Sequence, residues 1–240
     1  MLRKNNQINR SGEDAYKDDS VENEINWIAK YDPEKRFLSK EGYLLFKRAL
    51  DLFVVLITTP ITLPLFLLIM LLLVHDSPES KIIYKQLRTG QAGVRFWMYK
   101  FRTMVPKADE LKPQLMHLNI LEWPDFKIPD DPRVTKLGRI LRKTSLDELP
   151  QLFNVIKGEM SLVGPRPTSF SASTYKLWQT ERLDVPPGLT GLWQISSRGE
   201  TEFKKRLMLD IAYIQHRCLP LDIEILIRTI WAVFEGKGTT

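Results

Sequence analysis

The sequence predicts an α+β chain, mainly helical: a membrane-entering helical segment, then a compact body with a small β-hairpin and interfacial amphipathic helices. Three observations predict it. An uncharged run, Leu52 to Val74, reads LFVVLITTPITLPLFLLIMLLLV. Two strand-like runs, KIIYKQL (81–87) and VRFWMYKF (94–101), flank the turn RTGQAG. Apolar residues then recur at helical spacing through most of the second half of the chain.

The chain has 240 residues, enough for one core with appendages. Lys and Arg exceed Asp and Glu by 35 to 29, a net charge of +6, which favours anionic partners such as lipid headgroups or nucleotide phosphates. Cys218 is the single cysteine, so an internal disulfide and a cysteine metal site are excluded. Residues 1–45 are polar and mixed in charge. They read as a largely disordered tail rather than a signal peptide, with Trp27, Ile28, Tyr31 and Phe37 able to dock on the body.

Residues 46–77 form the membrane segment. A straight helix over Leu52 to Val74 would reach about 35 Å, enough for the ~30 Å hydrocarbon core. Pro60 and Pro64 in its middle predict a break or kink, with Thr58, Thr59 and Thr62 bonding to the carbonyls they free. Lys47 and Arg48 precede the run and Lys81, Lys85 and Arg88 follow it. Positive charge on both flanks suits a segment that turns and returns to the same side; a single kinked spanning helix is the alternative.

Residues 78–240 form the body. After the hairpin, residues 107–123 read as short amphipathic helices interrupted at Pro113, packed on the core or lying at the lipid interface. Asp130-Asp131-Pro132 marks a turn, and Leu137, Ile140 and Leu141 mark a short helix. Residues 187–198 read as loop. Residues 201–217 and 221–234 read as two helices, the second stopped by Gly236.

The chemistry concentrates between Arg142 and Pro167, RKTSLDELPQLFNVIKGEMSLVGPRP. Pro150 requires a helix start near Ser145 to Asp147, and Gly158 a stop. Ser145 and Glu148 fit a capping box, with Asp147 a favourable charge at the helix start. On a functional reading, Asp147 stays ionised there and attacks phosphorus, Glu148 holds Mg²⁺, and Arg142, Lys143 and Arg166 neutralise a phosphate. Adjacent residues on a helix do not face each other, so the two carboxylates do separate work. No phosphate loop, dinucleotide fingerprint or nucleic-acid surface is present, and His75, His117 and His216 are scattered.

The chain resembles the bacterial sugar transferase family, the monotopic phosphoglycosyl transferases. The motifs in order are KRALD (47–51), Thr59-Pro60, QLRTGQAG (86–93), KFRTM (100–104), DPRVT (131–135), RKTSLDELPQLFNV, SLVGPRP (161–167), PGLTGLWQ (187–194) and LDIEIL. The resemblance spans Lys47 to Gly238. It implies a re-entrant helix-break-helix and transfer of a sugar 1-phosphate from a UDP-sugar to undecaprenyl phosphate, with release of UMP. It further implies Asp147 as nucleophile of a phosphosugar intermediate, Glu148 as Mg²⁺ ligand, and Lys100, Arg102, Arg142 and Arg166 as substrate-binding cations. It places the body on the cytoplasmic face of a bacterial inner membrane, against phospholipid, at the first membrane step of capsule, exopolysaccharide, O-antigen or related glycan assembly. No nucleic acid is expected, and a homodimer is compatible. Two departures are DSPES (76–80) where many members have DSPGP, and Ser196-Ser197-Arg198 in place of SGR. The competing classes are a non-catalytic membrane adaptor and a lipid-phosphate phosphatase.

Overall fold

The computed structural model describes residues 26–32, 38–120, 126–175, 177–196 and 203–234. The expectations for the rest of the tail, for Phe37, Trp123, Ser197 and Arg198, and for Gly236 lie outside the described residues. Residues Asn26–Ile28 form a 3-10 turn whose Ile28 enters the core, as the docking of Trp27, Ile28 and Tyr31 anticipated.

Helix α1, Lys40–Asp76, starts at Ser39, whose hydroxyl accepts from the Gly42 amide. Among the described residues it is the one helix long and apolar enough to cross a membrane. Most of its surface is bare: Leu45, Phe53, Leu56, Ile61 and Leu71 are all exposed. The helix is continuous through Pro60 and Pro64 rather than interrupted. Thr58 and Thr59 donate to the carbonyls of Val54 and Val55, one position short of the Leu56 carbonyl that Pro60 leaves without its usual donor. Such back-bonding bends helices, so the threonines act on the turn before the proline, not on the freed group.

Strands β1 (Ile83–Thr89) and β2 (Arg95–Phe101) pair antiparallel across a 3-10 turn at Gln91–Gly93, as predicted. Helix α2, Ala108–Leu111, is followed by a 3-10 turn at Pro113–Leu118. Ala108 is buried, whereas Leu111, Met116, Leu118 and Ile120 are exposed, so most of this stretch does not pack on the core. Helix α3, Lys136–Lys143, is capped by Thr135. It buries Leu141 and leaves Ile140 outside.

Leu146–Gln151 is a 3-10 turn that leads into α4, Leu152–Lys157. Gly158 ends α4 at φ 82°, a left-handed stop that favours glycine. The stretch 187–198, read from sequence as loop, instead supplies β4 (Gly188–Thr190), parallel to β3 (Ser161–Val163), and α5 (Leu192–Ser196). Three-residue strands paired across a long connection leave no periodic pattern to read. Helix α6, Phe203–His216, is buried continuously from Leu207 to Ile214, so it is a core helix rather than an amphipathic one. Helix α7, Leu219–Phe234, buries Leu221, Asp222 and Ile225 and exposes Ile223, Ile227, Ile230 and Trp231.

Two apolar clusters hold the body, and α1 contributes to both. Val55 joins Val155, Leu162, Leu209, Tyr213 and Ile225. Ile69 and Leu73 join Phe101 and Leu141, with Leu146 and Leu149 packed alongside. Polar contacts fix the same seats. Lys47 pairs with buried Asp222 at 3.1 Å, and Asp51 accepts from the Ser161 hydroxyl at 2.7 Å and the Leu162 amide at 3.1 Å. Arg48 donates to the last carbonyls of α4, those of Val155 and Ile156. Of the flanking charges, Lys47 and Arg48 are therefore engaged by the body.

Fully buried Asn154 ties α4 to the hairpin. It accepts from the Tyr99 amide at 3.1 Å and donates to the Trp97 carbonyl at 2.8 Å and to Glu159 at 2.6 Å. Asn154→Ala strands these partners and should cost about 3 kcal/mol, at the upper end for buried polar groups left unpaired. A thermal melt should show a fall of about 6–12 °C; an unchanged melt would remove Asn154 from the framework.

Candidate active site

The turn at Leu146–Gln151 carries Asp147 and Glu148 and lies against β2. Ser145 enters it at φ 57° with no side-chain cap, and its carbonyl accepts from the Glu148 amide at 3.2 Å. The capping box expected from sequence is thus not formed. The Glu148 carboxylate instead accepts from Lys100 Nζ at 2.7 Å and Arg166 Nη2 at 2.8 Å on one oxygen. Lys100 also lies 3.5 Å from Asp147, so one ammonium bridges both carboxylates. The tight 3-10 turn, in place of an α-helical start, brings the adjacent carboxylates within reach of one lysine.

The two carboxylates are held differently. Burial pushes the Asp147 carboxyl up, against the lowering influence of Lys100 and Arg142. This reverses the expectation that helix amides would lower it. Burial also works against Glu148, but Arg166 and Lys100 outweigh it and hold its carboxyl well below the usual range. Glu148 in turn raises the Arg166 guanidinium.

Arg166 sits in the rigid Pro165–Pro167 loop. Arg182 Nη2 donates to the Arg166 carbonyl at 2.6 Å and is itself held by buried Asp210 at 2.6 Å. Burial pushes Asp210 up to about 6, opposed by Arg182 and Arg206. The Arg166 guanidinium lies 5.9 Å from the Trp193 ring. Arg142 donates to the Thr103 hydroxyl at 2.9 Å and acts electrostatically on Asp147.

Of the seven residues the sequence singled out, five gather here: Asp147, Glu148, Lys100, Arg142 and Arg166; Lys143 is exposed at the end of α3. Arg102 does not join them. Its side chain reaches the Leu73 carbonyl at 2.8 Å, the Lys81 and Ser77 carbonyls at 3.3 and 3.4 Å, and Asp76 at 3.8 Å. Alternation along β2 turns successive side chains to opposite faces, but Arg102 lies one residue past the strand, where the chain bends back to the end of α1. Its direct contacts make it a C-terminal cap of the apolar helix.

Sequence reasoning missed Arg182, Asp210 and Trp193. Trp193 falls inside the motif PGLTGLWQ, whereas Arg182 and Asp210 carry no local pattern.

The residues suit Mg²⁺ in one manner only. Among the described residues no group of three His, Cys, Asp or Glu could hold a metal. Mg²⁺ commonly takes one or two carboxylates and completes its shell with substrate phosphate oxygens and water, a role open to Glu148 beside Asp147.

A family model described as Bacterial sugar transferase matches residues 42–236. Over 198 residues the chain is 41% identical to the exopolysaccharide production protein ExoY of Rhizobium meliloti, covering 80% of this chain and 87% of ExoY. It is 45% identical over 158 residues to the galactosyl transferase CpsE of Streptococcus agalactiae, covering 65% of this chain but only 35% of CpsE. Identity to the UDP-glucose:undecaprenyl-phosphate glucose-1-phosphate transferase of Caulobacter vibrioides is 39% over 195 residues, 77% of this chain and 68% of that protein.

Proposed function

The chain belongs to the bacterial sugar transferase family, and on that premise we propose that it is a phosphoglycosyl transferase moving a sugar 1-phosphate from a UDP-sugar to undecaprenyl phosphate. The observation that carries the proposal is the site's position. Leu146 and Leu149, on either side of Asp147 and Glu148, pack with Ile69 and Leu73 of the apolar helix. That position, with a carboxylate pair ringed by Lys100, Arg142 and Arg166, supports action on a lipid phosphate.

In the first step the Asp147 carboxylate attacks the phosphorus that bears the sugar. A P–O bond to it forms, the P–O bond to the nucleotide phosphate breaks, and UMP departs. In the second step an oxygen of undecaprenyl phosphate attacks the same phosphorus. The bond to Asp147 breaks, and the lipid diphospho-sugar leaves. Lys100 and Arg142 counter the anionic charge that would otherwise repel Asp147 from its target. Arg166 holds phosphate through its fork while the proline-flanked loop fixes its direction. Mg²⁺ on Glu148 would neutralise diphosphate charge.

Re-entry of α1 is part of the proposal. Lys47, Arg48 and Asp51 near its start and Leu73 near its end all bind the same body. Arg48 and Phe66 would stand about 27 Å apart on a straight helix. Yet both reach α4, Arg48 through the Val155 and Ile156 carbonyls and Phe66 through the Phe153 ring at 5.7 Å. A helix of six residues is only about 9 Å long, and the difference supports a bend at the prolines. The body would then face the cytoplasm from the inner membrane, at the first membrane step of an exopolysaccharide, capsule, O-antigen or related glycan. In a Cys218→Ser background, cysteines at Ser20 and Ser80 should label from the same membrane face; labelling from opposite faces would refute re-entry.

The activity is tested by UMP release from a panel of UDP-sugars with undecaprenyl phosphate. One donor should give UMP and lipid diphospho-sugar in equal amounts. Inorganic phosphate released without any sugar nucleotide would instead identify a phosphatase, and no product from any donor a binding protein.

A further inference from the structure

Arg88 lies in β1 outside the group just described, and its surroundings are unlike those of a surface arginine. In the hairpin register Tyr84 faces Lys100, Gln86 faces Met98 and Arg88 faces Phe96. Directly opposed residues share one face of an antiparallel pair. Phe96 and Met98 are buried, so this face turns inward and carries Lys100 and Arg88 with it. The end of β1 is stitched to the segment after the Pro-Arg-Pro loop: the Thr89 amide donates to the Thr168 carbonyl at 2.9 Å, and Arg95 donates to the Ser169 and Phe170 carbonyls. A small cleft lined by Thr89, Gly90, Pro165, Arg166 and Pro167 joins the two.

The Arg88 guanidinium is under-satisfied. One nitrogen donates to the neutral amide of Gln86 at 2.6 Å, and its Nε is buried without a partner. Among the described residues no carboxylate lies within ion-pair distance of it. Glu148, which acts on it electrostatically, is already held by Lys100 and Arg166. Burial, and then the like charge of Arg166, lower its pKa to about 10. Burying one arginine beside another is unfavourable unless an anion joins them. The charges point the same way: Arg88, Lys100, Arg142 and Arg166 surround only two carboxylates, and a sugar nucleotide brings one negative charge on each phosphorus.

We propose that Arg88 and Arg166 together bind the nucleotide-side phosphate of the donor, the one that leaves with UMP, while Lys100 and Arg142 serve the sugar-side phosphate beside Asp147. The assignment rests on the functional reading above and divides its cations into two pairs. Arg88 then acts on the step that releases UMP and has no part in transfer from the enzyme to the lipid phosphate.

The test is UMP binding to the full chain in lipid nanodiscs, measured by calorimetry. Arg88→Gln should weaken UMP at least about tenfold, the value of a lost charge-assisted hydrogen bond. Arg88→Lys should fall between, since it keeps the charge without the fork. Lys85→Gln, on the outward face of the same strand, should bind as wild type does. Arg88→Gln should also slow the UMP burst yet leave transfer from preloaded enzyme to undecaprenyl phosphate unchanged. UMP affinity equal to wild type in Arg88→Gln, or in Arg88→Lys should the glutamine variant melt early, overturns the assignment. Failure of wild type to release UMP from any donor would instead strike at the functional reading.

Discussion

Asp147→Asn should reduce UMP release from the preferred UDP-sugar by at least about 10⁴-fold, the scale of losing a nucleophile, while leaving the chain folded. The two halves of this expectation have separate causes. The amide keeps the shape of the side chain but supplies no anionic oxygen to attack phosphorus. Stability is spared because the direct cation contact of Asp147 is long, 3.5 Å to Lys100, and burial already disfavours its charged form. The neutral amide removes that desolvation, and Glu148 continues to hold Lys100 and Arg166. A melt at or slightly above wild type, with no UMP burst, is the expected pair of observations. Full turnover in this variant would remove Asp147 from the chemistry.

Gly138→Ala should be among the most damaging changes of a single methyl group in the body. A Cβ at this position would lie 2.0 Å from the Thr103 carbonyl oxygen and 2.7 Å from its carbon, and both are backbone atoms. The α3 helix cannot accommodate it without lifting away from residue 103. That movement breaks the Thr135 amide bond to the same carbonyl, 3.0 Å, and draws Arg142 from the Thr103 hydroxyl. A loss of at least about 3 kcal/mol is expected, or about 6–12 °C in the melt. Residual folded protein should show weakened activity through Arg142. Gly42→Ala is the control: its Cβ meets the Ser39 hydroxyl at 3.3 Å, and helix propensity favours alanine. Equal melts for Gly138→Ala and wild type would show that α3 has slack at this seam.

How much of this was legible in the sequence depended on whether the pattern was local. The hairpin, the apolar helix and the helix stop at Gly158 follow from alternation, length and a left-handed glycine, so short windows reveal them. The pairing of β3 with β4 joins Ser161 to Gly188, and no window of a few residues contains both. Within the site, Asp147, Glu148 and Arg166 stand out because proline rigidity and adjacent charge are visible in a string of letters. Arg102 was misplaced because a basic residue at a strand end can turn toward the chemistry or toward a helix terminus, and only the bend after Phe101 decides. Arg182 and Asp210 act through the Arg166 carbonyl, a contact with no sequence signature. The Ser145–Glu148 cap was persuasive as a pattern and absent as a contact, because two cations outcompete one backbone amide for a buried carboxylate.

The union of α1 with the body has a consequence for biogenesis. Lys47 finds its partner Asp222 only after 175 further residues. Until then Lys47 lacks the group that later buries it. Closure of the body on α1 therefore waits for α7. Contacts of such long sequence separation form slowly, so a nascent chain stalled before residue 222 should be an anchored but open substrate for membrane proteases. Synthesis of α7 becomes the event that seals the apolar helix and the body into one piece.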